Sequence, residues 1–195
     1  GQTTTADITA KPITLSGIIV LDKIYDGSTI ASVDTSGIDK TGIGILAGDA
    51  ATVSISATGA FSDKNVGSAK TVNLTSSVSG GNASNYIFTE QASATANITP
   101  KALTATVSAS NKEYDGWRAA TTALTLSGLV GSETLNASAG STFDTKDVGL
   151  GKTVTVNSVT LVNGSNGGLA SNYSLSAGQT TTADITAKPI TLSGI

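Results

Sequence analysis

The 195-residue sequence contains no cysteine, no methionine and no histidine. The lack of cysteine excludes a disulfide framework. Together with the lack of histidine, it also excludes thiolate and imidazole metal sites and catalysis by Cys or His side chains. Charged residues make up only 13% of the chain, about half the share usual for a soluble domain. With a net charge of −3 and no basic patch, we expect no nucleic-acid partner.

The sequence also lacks any apolar run long enough to cross a membrane, so we expect no membrane insertion. Threonine, serine, alanine and glycine stand where charged residues are usual. This uncharged, β-branched and glycine-punctuated composition is typical of short strands joined by tight turns, and not of a disordered chain. The lack of thiols and thioethers is compatible with an extracellular location.

An eighteen-residue segment, GQTTTADITAKPITLSGI, occurs twice without change, at residues 1–18 and 178–195. A diverged copy, ATANITPKALTATVS, occupies residues 94–108. A proline stands in each copy, where the last strand of one module would pass into the first strand of the next (Pro12, Pro100 and Pro189). Proline removes a backbone donor and stiffens φ without breaking a central ladder, so we expect a semi-rigid rod of tandem modules.

Further anchors repeat in the same order between these copies, which predicts two related modules. Tyr25-Asp26-Gly27 corresponds to Tyr114-Asp115-Gly116, and the Ala-Ser-Asn-Tyr sequence at 83–86 recurs at 170–173. The turn sequence DKNVG at 63–67 corresponds to TKDVG at 145–149. We therefore predict four segments: the last strand of a preceding module at 1–10, a first module at 11–100, a second at 101–187, and the first strand of a following module at 188–195.

Apolar residues alternate with hydroxyl residues in segments such as 52–57 and 153–156, which predicts strands with one buried and one wet face. Short strands with turn signals every eight to twelve residues favour an all-β fold of tandem immunoglobulin-like β-sandwich modules, with about seven strands each. A β-grasp-like module is the alternative. Seven extra residues in the first module, placed within 34–49, and five in the second, within 161–168, indicate surface loops.

The repeated motifs are interpreted as architectural. In each Tyr-Asp-Gly motif we expect the tyrosine to pack in the core, the aspartate to accept from backbone N–H groups, and the glycine to supply a positive φ. Asn85-Tyr86 and Asn172-Tyr173 open a late strand, where a tyrosine hydroxyl returning to the backbone would resemble the corner of immunoglobulin-like folds. No catalytic or cofactor-binding residue is predicted.

Two kinds of site are conceivable beside a purely structural role, namely a calcium site and an intramolecular isopeptide bond. The carboxylates of Asp34, Asp39 and Asp49 share one loop, but their spacing matches no known calcium motif and favours solvated side chains. The Lys64-Asn65 and Lys146-Asp147 turns suggest an isopeptide staple, which lacks a glutamate at matching positions. We therefore predict no metal site and no cofactor.

Trp117-Arg118 is the clear asymmetry between the modules, because Ser28-Thr29 stands at the equivalent place. Trp and Arg are favoured at contact hot spots. The pair is therefore a candidate contact for a ligand, or for a neighbouring module at a junction.

The Tyr-Asp-Gly motif after a Lys-Pro-Ile-Thr-Leu strand, the Asp-Lys-Asn-Val-Gly turn, the Ala-Ser-Asn-Tyr corner and the closing Ala-Asp-Ile-Thr strand resemble YDG-type repeats, which are related to MBG repeats. Such modules occur in large bacterial surface and secreted adhesins, including filamentous-haemagglutinin-like exoproteins. The resemblance implies a non-enzymatic extracellular stalk on the bacterial surface. It carries no catalytic residues, and the Trp117-Arg118 pair departs from it.

Three functions follow as hypotheses. The first is a semi-rigid spacer whose partners are neighbouring modules of the same chain and which projects a separate binding domain. The second is a module that binds a glycan or a partner protein of a host or bacterial surface through the 34–49 loop or Trp117. The third is an adhesive repeat that self-associates through exposed strand edges.

Overall fold

A computed structural model describes residues 1–194 as two compact units, the first spanning Gly1–Thr99 and the second beginning at Pro100. The predicted all-β class is confirmed. The helical segments of the described chain are two single turns of 3-10 helix, Ala83–Asn85 and Ala170–Asn172. No helix within residues 1–194 is long and apolar enough to cross a membrane.

The first unit contains a five-stranded sheet flanked by two two-stranded ladders. The sheet has the order β3-β9-β7-β6-β4, and the ladders are β1-β8 and β2-β5. The pairs β1-β8 and β3-β9 are parallel and the others antiparallel. The strands are β1 Lys11–Thr14, β2 Ile19–Val20, β3 Lys23–Ile24, β4 Ile30–Ala31, β5 Val33–Asp34, β6 Val53–Phe61, β7 Gly67–Gly80, β8 Tyr86–Thr89 and β9 Ser93–Thr99.

The second unit repeats this arrangement strand for strand. Its sheet has the order β12-β18-β16-β15-β13, and its ladders are the parallel pair β10-β17 and the antiparallel pair β11-β14. The strands are β10 Lys101–Ala102, β11 Thr104–Ala109, β12 Lys112–Glu113, β13 Ala119–Ala120, β14 Thr122–Ser127, β15 Leu135–Phe143, β16 Gly149–Asn163, β17 Tyr173–Ser174 and β18 Thr180–Thr186. Two repeated sheet modules are therefore present.

The strand pattern is richer than the sequence predicted. The described part of each unit contains nine strand segments, against about seven expected. Each unit also has two parallel pairs, whereas the immunoglobulin sandwich is antiparallel. The immunoglobulin-like detail is not confirmed, and the β-grasp-like alternative stays a prediction.

Each unit has its own small core. In the first, Ile13, Ile45, Val53 and Tyr86 form a buried cluster. In the second, the cluster is Phe143, Val154, Ala183 and Ile185. Ile45 comes from the predicted surface loop at 34–49, so this loop contributes to the core as well as to the surface. Backbone hydrogen bonds inside it, including Ile43 N to Asp39 O at 3.0 Å, give it defined turns.

The duplicated segment adopts different structures in its two places. Residues 180–186 form β18 and bury Ile185 to 1% exposure, whereas residues 1–10 form no strand and Ile8 is fully exposed. Conversely, residues 11–14 form β1 with Ile13 4% exposed, whereas 188–194 form no strand and Ile190 is 89% exposed. The strands predicted at 1–10 and 188–195 stay predictions, and Ile195 lies outside the described residues.

Candidate functional site

Each Tyr-Asp-Gly motif lies in a loop that binds the ammonium of the lysine two residues before the motif tyrosine. We call this set of contacts the lysine lock. In the first unit, Lys23 Nζ bonds to Asp26 Oδ1 at 2.8 Å and to the carbonyl oxygens of Ser28 and Ile30 at 2.8 and 3.0 Å. The same ammonium lies 5.5 Å from the Phe61 ring centroid. Burial opposes ionisation of Asp26, but the bonds from Lys23 and the Ser28 N–H outweigh it and lower the pKa of this carboxyl.

The second unit has the same lock. Lys112 Nζ bonds to Asp115 Oδ1 at 2.9 Å and to the carbonyl oxygens of Trp117 and Ala119 at 2.7 and 3.0 Å. It lies 5.5 Å from the Phe143 ring. The hydrogen bonds from Lys112 and the Trp117 N–H lower the pKa of Asp115. An ammonium that satisfies one carboxylate and two carbonyls closes the loop.

The two glycines of these motifs, Gly27 and Gly116, have positive φ angles of 79° and 83°. Glycine adopts such a φ without the strain that a Cβ would bring. The motif tyrosines pack inward, with Tyr25 only 1% exposed and Tyr114 against the second core. The lysines of the predicted turns cover these rings, Lys64 at 5.9 Å from Tyr25 and Lys146 at 5.8 Å from Tyr114.

The Asn-Tyr corners join the late strand to an acidic side chain. Tyr173 Oη accepts from Val130 N at 3.0 Å and donates to the buried carboxylate of Glu133 at 2.7 Å. In the first unit, Tyr86 Oη accepts from Leu46 N at 3.1 Å and donates to Asp49 at 2.7 Å. The tyrosine therefore returns to the backbone as the sequence suggested, with its hydroxyl as acceptor.

The sequence did not predict the carboxylate partners of Tyr86 and Tyr173. Asp49 and Glu133 differ in side-chain length and follow loops of different length, so alignment of anchors did not pair them. The Tyr86 hydroxyl and the amide of Asn82, 2.6 Å from Asp49 Oδ1, lower the pKa of Asp49, and the bond to Asp49 raises the pKa of Tyr86. Asn85 and Asn172, the residues directly before the two corner tyrosines, lie in the 3-10 turns.

The three loop carboxylates considered for calcium are bound in separate turns. Asp34 Oδ1 accepts from Ser36 N at 2.8 Å, Asp39 Oδ1 accepts from Gly42 N at 2.9 Å, and Asp49 belongs to the Tyr86 corner. Within residues 1–194, no group of three or more His, Cys, Asp or Glu residues could hold a metal ion. The carboxylates of Asp34 and Asp39 therefore cap turns, whereas that of Asp49 holds the Tyr86 corner.

The lysines and carboxylates next to the DKNVG and TKDVG turns form ion pairs. Lys70 Nζ lies 2.7 Å from Asp63, and Lys152 Nζ lies 3.2 Å from Asp144. Asn65 donates its backbone N–H to Asp63 at 2.8 Å. Lys146 and Asp147, the pair considered for an isopeptide staple in the second unit, form an ion pair at 3.1 Å with side chains 51% and 69% exposed, which differs from the apolar pocket that such a staple requires.

Trp117 presents its ring to solvent with 73% exposure, while its backbone belongs to the lysine lock. Its N–H donates to Asp115 and its carbonyl accepts from Lys112, as Ser28 does with Asp26 and Lys23 in the first unit. The indole is therefore not needed for the lock. Arg118 Nε donates to Phe143 O at 2.7 Å, which orients this side chain on the sheet edge.

A cavity of about 440 Å³ in the first unit is lined in part by Ile8, Lys11, Asp49 and Tyr86. Both oxygens of Asp49 already accept hydrogen bonds, from Asn82 and Tyr86. The Lys11 ammonium, also in the lining, donates to Gly44 O at 2.7 Å.

Residues 9–96 and residues 99–183 each match the family described as the YDG domain. No curated protein and no solved structure matches the chain.

Proposed function

Because the chain belongs to the YDG domain family and holds two copies of its module in tandem, we propose that it is a non-catalytic repeat region of a bacterial cell-surface or secreted adhesin. In this proposal the modules form a semi-rigid extracellular stalk that projects a separate binding domain. The observation that carries the proposal is the strand-for-strand repeat of the two units. The Tyr-Asp-Gly and Asn-Tyr motifs that they share make hydrogen bonds within their own unit.

The chain connection between the modules supports a stiff stalk. β9 ends at Thr99 and β10 begins at Lys101, so Pro100 alone lies between them. Proline confines its own φ and restricts the residue before it. A connection this short has no room for a flexible linker of the Gly/Ser kind.

Small-angle X-ray scattering on the full chain tests the stalk. With strands rising about 3.3 Å per residue, we expect a rod roughly 70 to 90 Å long for two modules end to end. A matched variant with a Gly-Ser linker inserted after Pro100 should give a broader distribution of lengths. A compact globular particle for the unaltered chain would overturn the proposal.

A second candidate function is recognition of a glycan or partner protein through Trp117, and the exposure of this ring favours it. Exposed aromatic rings beside an arginine are frequent contact residues. Trp117→Ser places the residue of the first module at this position and keeps the backbone contacts of the lock. Binding on a glycan array that is lost in Trp117→Ser supports recognition, whereas a chain that binds nothing supports the spacer alone.

A further inference from the structure

The chain enters and leaves each unit through strands held in parallel ladders. In the first unit, the entering strand β1 pairs with β8 from Lys11↔Tyr86 to Thr14↔Thr89. The leaving strand β9 pairs in parallel with β3. In the second unit, β10 pairs in parallel with β17, and the leaving strand β18 with β12. In both units, therefore, the entering strand and the leaving strand each lie in a parallel pair.

Entry and exit lie at opposite ends of the longest strand of the first unit. Tyr86, the partner of Lys11, follows the turn after Gly80, at one end of β7. From there β9 runs antiparallel to β7 toward its other end. Leu74 N donates to Ala92 O at 3.0 Å near the middle of β7, and Ile98 pairs with Gly67 at its first residue. At about 3.3 Å per residue, this fourteen-residue strand is about 45 Å long.

Tension between the ends of a unit therefore acts along its strands. β1 would be drawn one way and β8 with β9 the other, so the hydrogen bonds of the parallel ladder share the load and must break together. The leaving strand is also flanked on both sides, by β3 and β7 in the first unit and by β12 and β16 in the second. A hairpin pulled open from its free end instead loses its bonds one at a time.

The Tyr-Asp-Gly motif holds the last residue of each leaving strand. Tyr25 N donates to Thr99 O at 2.9 Å, and Thr99 Oγ1 donates to Lys23 O at 3.3 Å. In the second unit, Tyr114 N donates to Thr186 O at 2.9 Å, and Thr186 Oγ1 donates to Lys112 O at 3.3 Å. The lysine lock thus closes the loop at the point where the chain leaves the unit.

The first unit has one additional tie between its entering and leaving segments. The Gln91 side chain accepts from Ile18 N and donates to Ile18 O, both at 3.0 Å. Comparing the registers of the two units makes Ser93 of β9 equivalent to Thr180 of β18. Gly178 is therefore the equivalent of Gln91, and it has no side chain to make this contact.

We propose that each module is a mechanical shear clamp, in which parallel entry and exit ladders resist tension along the chain and the Tyr-Asp-Gly motif locks the exit strand. The clamp is a property of a single module. It rests on the proposed stalk function only for the source of the tension.

Single-molecule force spectroscopy tests the clamp with the full chain. The sequence has no cysteine, so handles attach at introduced cysteines alone. Gly1→Cys with Gly194→Cys loads both modules through their ends. Ala51→Cys with Gly81→Cys loads the open end of the β6-β7 hairpin, where Val53 pairs with Gly80. Residues 51 and 81 are exposed, and circular dichroism checks that both variants fold.

End-to-end pulling should give two unfolding events, each releasing about 90 residues, or roughly 300 Å of chain at about 3.5 Å per residue. Their forces should be at least about twofold higher than the first event on the hairpin, because forced unfolding reports the barrier along the pulled direction. Gln91→Ala should lower the force of one end-to-end event and leave the other unchanged.

Equal or lower force on end-to-end pulling would overturn the clamp. This outcome is independent of the stalk: a rod in scattering with weak end-to-end resistance refutes the clamp alone. A compact particle with high resistance refutes the stalk alone.

Discussion

The carboxylate of Asp22 accepts two hydrogen bonds from Asn97, one from its backbone N–H at 2.6 Å and one from its side-chain amide at 2.8 Å. Asn97 Oδ1 in turn accepts from Ala69 N at 2.8 Å. These bonds, the backbone one foremost, lower the pKa of Asp22. The pair joins the segment before β3 to the leaving strand β9 and to the bulge at the start of β7.

The second unit keeps this pair with the residue types exchanged. Asn111 stands at the place of Asp22, and Asp184 at the place of Asn97. Asp184 N donates to Asn111 Oδ1 at 2.7 Å, and Asp184 Oδ1 accepts from Gly151 N at 2.7 Å. One amide and one carboxylate therefore occupy the two positions, in opposite order in the two units.

The exchange predicts a pattern of rescue. Asn97→Asp places a second carboxylate against Asp22 and should lower the thermal midpoint of the first unit at pH 7, and Asp22→Asn with Asn97→Asp should restore it. Facing carboxylates raise each other's folded-state pKa, so the single variant should regain stability as the pH falls toward about 4. Thermal melts at both pH values measure this. A double variant no more stable than Asn97→Asp would contradict it.

The corner tyrosines should differ in their contribution to stability. Tyr173→Phe removes the hydroxyl between Val130 N and the buried Glu133, which should cost about 1–3 kcal/mol in the free energy of unfolding. Tyr86→Phe should cost less, because Asp49 is more exposed and keeps the bond from Asn82. Urea denaturation of both variants gives the comparison. Equal losses would show that burial of the carboxylate is not what matters.

The lysine locks predict a matched pair of stability losses. Lys23→Met and Lys112→Met keep the length of the stem but remove an ammonium that serves one carboxylate and two carbonyls, with side chains only 15% and 18% exposed. Each should cost about 1–3 kcal/mol. Lys188→Met, at an exposed position, is the control and should change nothing measurable. Losses no larger than that of the control would mean that the lock is a surface ion pair without consequence.

Acid should weaken the first unit more than the second. Hydrogen bonds lower the pKa of Asp22, Asp26, Asp34, Asp39, Asp49 and Asp63 in the first unit, and of Asp115 and Asp144 in the second. A carboxyl with a lowered folded-state pKa contributes stability above its unfolded pKa and loses it as the pH falls through the folded value.

Urea titrations between pH 7 and pH 2, followed by amide NMR signals assigned to each unit, measure this difference. The stability of the first unit should fall more steeply with decreasing pH below about 4. Asp39→Asn should reduce that slope and leave the second unit unchanged. Parallel pH dependence in the two units would contradict the prediction.

Much of the module was readable from the sequence, because its signals are local. Period-two alternation predicted strands, and the Asp-Gly pairs predicted turns with positive φ at Gly27 and Gly116. The sheet order and the parallel pairs depend on contacts far apart in sequence, such as Lys11 with Tyr86, which no local pattern encodes. The acidic partners of Tyr86 and Tyr173 were missed for the same reason, since they lie 37 and 40 residues away along the chain.

The duplicated segment separates what sequence determines from what pairing determines. Ile8 and Ile185 have the same neighbours in sequence, yet Ile8 is fully exposed and Ile185 is 1% exposed between β16 and β12. Ile185→Ala should therefore cost about 2–5 kcal/mol in the free energy of unfolding of the second unit, the usual loss for a buried isoleucine. Ile8→Ala should change it by less than about 0.5 kcal/mol. Urea denaturation of both variants tests this, and a large loss for Ile8→Ala would mean that residues 1–10 bury this side chain in solution.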